Sequence, residues 1–279
     1  MVLHTDNVGR AWDAGESSWT STDAILYALG VGAGTAELAF TTESPTQLTL
    51  PTFPLVLNGH RNGSLADLIG DFDHARLLHG EQSISLHSAI PPAGTARATA
   101  ELEGVNDKGR DAVVWLKSAL RDGSTDALLA ELRTGLFLRG AGGFGGPRGE
   151  SVPWQPPDRA PDHIVSYHTS PDQALLYRLS GDRNPLHSDP GHAARAGFDR
   201  PILHGLCTYG FTGRALLHTL CGSDPDEFGS MSARFAAPVL PGQTLNVLIW
   251  VTGDDDAVFQ TRVGATAVLD HGTFSRRAR

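Results

Sequence analysis

The strongest constraint on the fold of this chain is an internal repeat. Residues 24–29 read AILYAL, and residues 174–179 read ALLYRL, at an offset of 150 residues (24 to 174). A second pair, residues 90–95 and 239–244, recurs at an offset of 149 (90 to 239). Two pairs at nearly one offset are typical of a tandem duplication, so we expect two similar units packed on each other.

A segment rich in glycine and proline separates the two copies. Residues 139–147 read RGAGGFGGP, and four further prolines follow between residues 153 and 161. Such a composition indicates a connector, because glycine loosens the backbone and proline cannot continue a strand ladder. We therefore predict an N-terminal unit of residues 1–154 and a C-terminal unit of residues 155–279, sizes usual for single domains.

Hydrophobic periodicity predicts few helices and many strands. Apolar residues at helical spacing predict a long helix over 203–220. Strands are predicted over 111–120, 127–137, 245–251 and 257–269, with turns at Asp122-Gly123 and Gly253-Asp254. Within each half the order is helix, loop, second helix and then several strands, which indicates the α+β class.

The charge balance narrows the function. The formal net charge is −9 and the isoelectric point about 5.7, which argues against a polyanion-binding protein. With this charge, no nucleic-acid or membrane-surface partner is expected. No membrane span is expected either, because the longest apolar run, residues 245–251, is only as long as a strand. Cys207 and Cys221 do not form a disulfide framework, and neither a signal peptide nor a peroxisomal address is evident, so a cytoplasmic enzyme is expected.

The two copies differ where chemistry is possible. Residues 180–187 read SGDRNPLH, whereas the equivalent residues 30–37 read GVGAGTAE. Asp182, Asn184 and His187 can orient a water molecule and move its protons. The first copy has Gly32, Gly34 and Glu37 at these positions, so one active site per chain is expected. The spacing alone is equally consistent with an Asx turn, since the segment is rich in turn-forming residues.

A longer pattern favours catalysis. Residues 177–187, read as YxLSGDxNPLH, resemble the signature of the MaoC-like, or hydratase 2, family. The two-repeat form of that family, found in the hydratase unit of peroxisomal multifunctional enzymes, is similar over nearly the whole chain. The supporting segments are residues 26–32, 51–53, 78–82, 107–109, 139–146, 204–207 and 234–242.

The resemblance implies a double hot-dog fold, in which each repeat wraps a curved antiparallel sheet around a helix. It implies a hydro-lyase that converts trans-2-enoyl-CoA to (3R)-3-hydroxyacyl-CoA, with no metal ion or cofactor beyond the CoA of the substrate. Asp182 and His187 would be the catalytic dyad, Asn184 would support it, and the Gly205 N–H would bind the thioester oxygen. Gly205 lies near the start of the predicted helix, where N–H groups are unpaired and the dipole is positive.

The resemblance also implies thioester contacts. His79 and Gly80 in the first half, Lys108 near the CoA phosphates, and Phe235 along the acyl or pantetheine path would bind the substrate. His204 is expected to be structural, and His187 with His192 lacks the further ligands of a usual metal site. A homodimer is expected from the family.

Three other functions stay open at this point. A dehydratase acting on acyl-carrier-protein substrates would use the same chemistry. A thioesterase fits the Asp-x-Asn-Pro-x-His pattern less well. A silent thioester-binding partner subunit is disfavoured by the intact Asp182, Asn184 and His187.

Overall fold

One long antiparallel sheet dominates the chain. The structure is a computed structural model that describes residues 2–44, 46–57, 68–72, 76–150 and 153–277. Its strands are β1 (Val2–Leu3), β2 (Ala11–Trp19), β3 (Gly70–Asp71), β4 (Leu77–Leu86), β5 (Gly94–Asp107), β6 (Ala112–Asp122), β7 (Leu128–Leu138), β8 (His163–His168), β9 (Phe228–Phe235), β10 (Thr244–Val251), β11 (Asp256–Val263) and β12 (Thr266–Arg276). The α-helices are α1 (Ser21–Gly30), α2 (Leu38–Thr41), α3 (Pro54–Leu57), α4 (Gln173–Tyr177), α5 (Pro190–Arg195) and α6 (Gly205–Leu220).

The strand order displays the duplication. Ten strands follow the order β2-β5-β6-β7-β4-β9-β12-β11-β10-β8, so each half contributes five neighbouring strands. The two halves join where β4 pairs with β9, and Ser83 lies opposite Ser232, its own equivalent at the offset of 149 (83 to 232). A pseudo-two-fold axis therefore passes through this seam.

Helix α6 fills the curve of the sheet. Eleven of its residues, from Cys207 to Leu217, are buried without a break. A helix that is buried all round belongs in a core rather than on a surface. Tyr209 Oη donates to the carbonyl oxygen of Met231 at 2.7 Å, which ties the helix to β9. The helix begins two residues later than predicted, because His204 has an extended backbone with φ −58° and ψ 135° and lies outside the helix.

The repeated AILYAL and ALLYRL segments lie side by side. They form α1 and α4, and their shared tyrosines, Tyr27 and Tyr177, approach with ring centroids 6.2 Å apart. Gln173 Nε2 donates to the Gly30 carbonyl at 2.7 Å across the same contact. Thr20 and Asp23 form a reciprocal capping box at the start of α1. The sequence repeat therefore marks the contact between the two halves.

Most predicted strands are confirmed, and one is wrong. The strands at 111–120, 127–137 and 245–251 appear as β6, β7 and β10 with ends shifted by one or two residues. The predicted strand 257–269 is two strands, β11 and β12, because the chain turns at Gly264 with φ +58°. Five strands of the long sheet were not predicted: β4, β5 and β9, and the edge strands β2 and β8, which precede the first helix of each half.

The connector is tied to the first half. The Asp107 carboxylate accepts the N–H groups of Gly143 and Gly145 at 2.9 and 2.7 Å, and also that of Gly109. These bonds, that from Gly143 above all, hold the pKa of Asp107 below its ordinary value. The predicted boundary near residue 155 lies between β7 and β8 and stays a prediction. No helix in the described part of the chain is long and apolar enough to cross a membrane.

Candidate active site

The segment that distinguishes the second copy is a rigid series of short turns. Gly181 adopts φ +130°, a conformation that favours glycine, and places Asp182 on an exposed loop. The Asp182 carboxylate accepts the N–H of Asn184, and Asn184 Oδ1 accepts the N–H of Leu186, both at 3.0 Å. Asn184 thereby caps the 3₁₀ helix that carries His187. The Asx turns expected from the spacing are present, and they position the Asp182 and His187 side chains; the catalytic interpretation stays a prediction.

His187 is buried, and one of its two ring nitrogens already forms a hydrogen bond. Its Nδ1 donates to the carbonyl oxygen of Ile202 at 2.8 Å, which fixes the tautomer and leaves the lone pair on Nε2. Burial lowers the pKa of His187, although the Ile202 carbonyl and the charge of Asp182 oppose that effect. At neutral pH the imidazole is therefore a neutral base.

His204 is a third member of this group, which the sequence analysis treated as structural. Its Nε2 donates to the backbone carbonyl oxygen of Asp182 at 3.2 Å, and its ring stacks on His187 with centroids 3.7 Å apart. Burial, with a further contribution from the nearby His187, lowers the pKa of His204 to about 4. The signal in the sequence was its position immediately before Gly205.

Donor atoms of Asp182, His187 and His204 all lie within 4.8 Å of one another. Such a group could in principle hold a divalent cation, whereas His192 is not part of it. However, the His187 and His204 rings are stacked face to face, with centroids 3.7 Å apart and an interplanar angle of 29°, whereas the ligands of a tetrahedral ion surround it from divergent directions. The arrangement suits proton transfer better than metal ligation.

Gly205 opens α6 beside this cluster. Among the described residues no acceptor is recorded for its N–H, as expected in the first turn of a helix. A Cβ atom at this position would lie 3.0 Å from Cε1 of Phe235, so the Phe235 ring lies directly over the glycine. The N–H is therefore a donor at the positive end of the helix dipole, bordered by an aromatic wall.

Strand β4 of the first half also contributes residues beside Phe235. The His79 ring meets Phe235 edge-on, with centroids 4.7 Å apart, and His79 Nε2 bonds with Gln82 Oε1 at 3.0 Å. Gly80 occupies the bulge between His79 and Glu81, where a Cβ would lie 3.2 Å from the Gly135 carbonyl oxygen. His79, Gly80 and Phe235 thus lie together beside Gly205.

Lys108 lies apart from that group. It occupies the turn between β5 and β6, its N–H bonds to the Asp111 carbonyl, and its Nζ donates to the carbonyl oxygen of Arg148. In the described residues no contact joins it to Asp182, His187 or Gly205. The structure therefore assembles seven of the eight predicted site residues and leaves Lys108 outside.

The equivalent loop of the first copy, residues 30–37, makes structural contacts with α6. Glu37 forms an ion pair with Arg214, whose side chain is 2% exposed, and a 2.9 Å bond with His218. Burial alone would raise the pKa of Glu37, but the bonds from His218 and Arg214 lower it to about 2. A Cβ on Gly32 would meet the Phe211 ring at 2.2 Å. These residues anchor α6 and leave no free acid/base group.

A further cavity lies away from this group of residues. A groove of about 580 Å³ runs across the outer face of the sheet, lined by Trp115, Arg133, Trp154, Arg234 and His271 among others. None of the predicted site residues lines it. Four of its charged side chains form two ion pairs, Arg133 with Glu103 and Arg234 with Glu81.

Fold and site together define a class: a two-repeat protein with one imidazole–carboxylate site beside the N-terminus of a buried helix. Comparison with known proteins agrees with this definition. Residues 153–272 match the MaoC like domain, and residues 17–140 match the MFE-2 hydratase 2 N-terminal domain. The chain belongs to the MaoC-like dehydratase family, in its two-domain hydratase 2 form.

The relatives cover the chain from end to end. The 3-hydroxyacyl-thioester dehydratase Y of Mycobacterium tuberculosis is 46% identical over 286 residues, 98% of each chain. The enoyl-CoA hydratase ChsH3 of the same organism is 43% identical over 85% of each chain.

Solved structures show the same fold. A MaoC-like dehydratase from Phytophthora capsici superposes with a TM-score of 0.89 at 32% identity, over 98% of both chains. The peroxisomal multifunctional enzyme type 2 of Drosophila melanogaster gives a TM-score of 0.81 at 37% identity, over 96% of this chain and 48% of that one. The double hot-dog protein Rv0216 of M. tuberculosis, at 16% identity and a TM-score of 0.58, shares the fold. The predicted double hot-dog fold is confirmed.

Proposed function

We propose that this protein is a hydro-lyase that reversibly adds water to trans-2-enoyl-CoA and forms (3R)-3-hydroxyacyl-CoA, in fatty-acyl or sterol side-chain metabolism. One observation carries the proposal: the lone pair of His187 Nε2 and the carboxylate of Asp182 lie beside an N–H donor at the start of α6. A base for water and a donor for a developing oxyanion are the two groups that hydration needs.

The reaction follows from these positions. A water molecule held by Asp182 and His187 gives a proton to His187 Nε2 as its oxygen bonds to C3 of the enoyl group. The π electrons move onto the thioester oxygen, where the Gly205 N–H stabilises the enolate. The enolate then collapses as C2 takes a proton from the Asp182–His187 pair. Dehydration is the same path in reverse.

Asn184 acts through the scaffold in this proposal. Its Oδ1 accepts the Leu186 N–H and so holds the short helix that presents His187. The second lone pair of Oδ1 and the Nδ2 donors can also support the water directly, as expected from the family resemblance.

The thioester lies along the contact between the halves. His79, Gly80 and Phe235 surround Gly205 and would line the path of the thioester and its pantetheine arm. Lys108 remains the proposed partner of a CoA phosphate, since a flexible cation at a surface turn suits that charge. The absence of a metal or redox cofactor and the homodimer stay predictions, testable by turnover in EDTA and by light scattering.

A carrier-protein substrate is the second candidate. The 46% identical relative from M. tuberculosis is named as a dehydratase of 3-hydroxyacyl thioesters, a term that covers carrier-protein thioesters as well as CoA thioesters. Loss of enoyl absorbance should be followed with crotonyl-CoA and with crotonyl-acyl-carrier protein, and Asp182→Asn serves as the matched inactive variant. We expect higher kcat/KM with crotonyl-CoA. Preference for the carrier protein would reassign the substrate, and no hydration of either would refute the function.

A further inference from the structure

His204 links every part of the proposed active site. It is 1% exposed and lies between the Asp182 loop, the His187 ring and the first turn of α6. Its side chain bonds to the Asp182 backbone and stacks on His187, and its own carbonyl oxygen accepts the N–H groups of Cys207 and Thr208. Gly205 is the next residue in the chain.

The Asp182 carboxylate depends on this linkage. Asp182 is exposed, and the bond recorded for its side chain comes from Asn184, two residues away on the same loop. The bond from His204 to the Asp182 carbonyl, by contrast, fixes the loop to a buried group on the other side of the site. A displacement of about 1 Å can cost about 10²-fold in rate, because catalysis requires the reacting groups in near-attack geometry.

We infer that His204 is a positioning residue for the hydration reaction, holding the Asp182 loop in register with the Gly205 N–H chiefly through its hydrogen bond to the Asp182 carbonyl, with a smaller contribution from its ring contact with His187. This inference rests on the proposed function and assigns a role that burial alone does not require. Its low pKa supports it, since a neutral ring next to His187 leaves that residue free to take up a proton.

Two substitutions separate the hydrogen bond from the ring. His204→Gln keeps a donor near the position of Nε2 and removes the ring, whereas His204→Phe keeps the ring and removes the donor. We expect His204→Phe to lower kcat for crotonyl-CoA about 10- to 100-fold while KM changes less than about threefold. His204→Gln should recover kcat to within about fivefold of the wild type, a rescue that a purely structural role would not produce.

Thr212→Val is the matched control. Thr212 lies in α6, the helix that follows His204, and it is as buried as His204. Its hydroxyl bonds to Thr208 and Thr261, away from the site. Loss of the Thr212 hydroxyl in Thr212→Val should lower Tm as the His204 substitutions do, yet leave kcat unchanged.

Three results would overturn the inference. They are a wild-type kcat in His204→Phe, a loss of kcat in His204→Gln as large as in His204→Phe, or a loss of kcat/KM in His204→Phe that comes from a higher KM. If neither variant folds, ¹⁵N-histidine NMR of the wild type decides. A neutral His204 ring with its proton on Nε2 at pH 7 supports the inference, and the other tautomer or a charged ring refutes it. A wild-type protein that does not hydrate crotonyl-CoA would instead contradict the proposed function.

Discussion

Glu37 and His187 occupy equivalent places in the two repeats and show how the surroundings decide the role of a residue. Glu37 is bonded to the Arg214 guanidinium and to the His218 ring, which hold its charge and leave it no acid/base role near neutral pH. His187 has a backbone carbonyl on one nitrogen and a free lone pair on the other. The same position is therefore an anchor in one half and a base in the other.

Glu37→Gln should leave kcat nearly unchanged but destabilise the fold by about 3–5 kcal/mol, because it leaves the buried Arg214 without its counter-charge. Urea unfolding measures the loss. Glu131→Gln is the control, since Glu131 pairs with Lys117 and His87 at the surface and should cost at most about 1 kcal/mol. Loss of turnover in folded Glu37→Gln would show that the first copy is catalytic.

Glu37 also predicts an acid sensitivity. Its pKa falls from 4.5 to about 2 on folding, so its contribution is fully present above pH 4.5 and is lost as the pH falls toward 2. The wild type should lose stability across that window more steeply than Glu37→Gln.

The proposed dyad predicts a non-additive loss. Asp182→Asn and His187→Ala should each lower kcat by about 10²–10⁴ with little change in KM. The double variant should be much less impaired than the product of the two losses, because both groups handle the same water. Near wild-type turnover in either folded single variant would remove that residue from the mechanism.

At the scale of the elements, the N-terminus of α6 carries the proposed oxyanion donor. Proline is tolerated at the first helical position and has no N–H. His204, just before it, already has φ −58° and ψ 135°, which a following proline requires. Gly205→Pro should therefore fold and lose about 10²–10³ in kcat.

Gly205→Ala is the control, because it keeps the N–H and adds only a methyl group 3.0 Å from Phe235. It should lose much less kcat than Gly205→Pro. Equal losses in the two variants would indicate that crowding against Phe235, and not the missing donor, explains the effect.

The sequence predicted elements with strong local patterns and missed those fixed by distant contacts. Helix α6 and strands β6, β7 and β10 carry clear apolar periodicity and were found. Edge strands β2 and β8 are only partly buried, so their apolar pattern is weak. Strands β4, β5 and β9 were missed as well, although buried residues alternate along β5. The Glu37–Arg214 pair joins residues 177 positions apart, and the His204–Asp182 bond spans 22, so neither could be deduced from local spacing.

The whole molecule is a duplication, and in our proposal one half is catalytic and the other forms a wall of the active site. Both halves contribute five strands to one sheet, yet the free base and the proposed oxyanion donor come from the second. The first half supplies His79 and Gly80 beside Phe235. We therefore propose that the two repeats build one site, not two.

This division predicts the binding stoichiometry. Calorimetric titration with a non-reactive acyl-CoA analogue should saturate at one equivalent per chain, and Asp182→Asn should bind with similar affinity. Two equivalents of equal affinity would show that the first copy holds a working site.

The stereochemistry of the product tests the central claim most directly. Crotonyl-CoA should be incubated with the wild type and, in parallel, with His187→Ala, and the product oxidised with NAD-linked dehydrogenases specific for the (3R) or the (3S) alcohol. The account predicts NADH with the (3R)-specific enzyme, none with the (3S)-specific enzyme, and little with either after His187→Ala. A predominant (3S) product, or full NADH formation by His187→Ala, would contradict it.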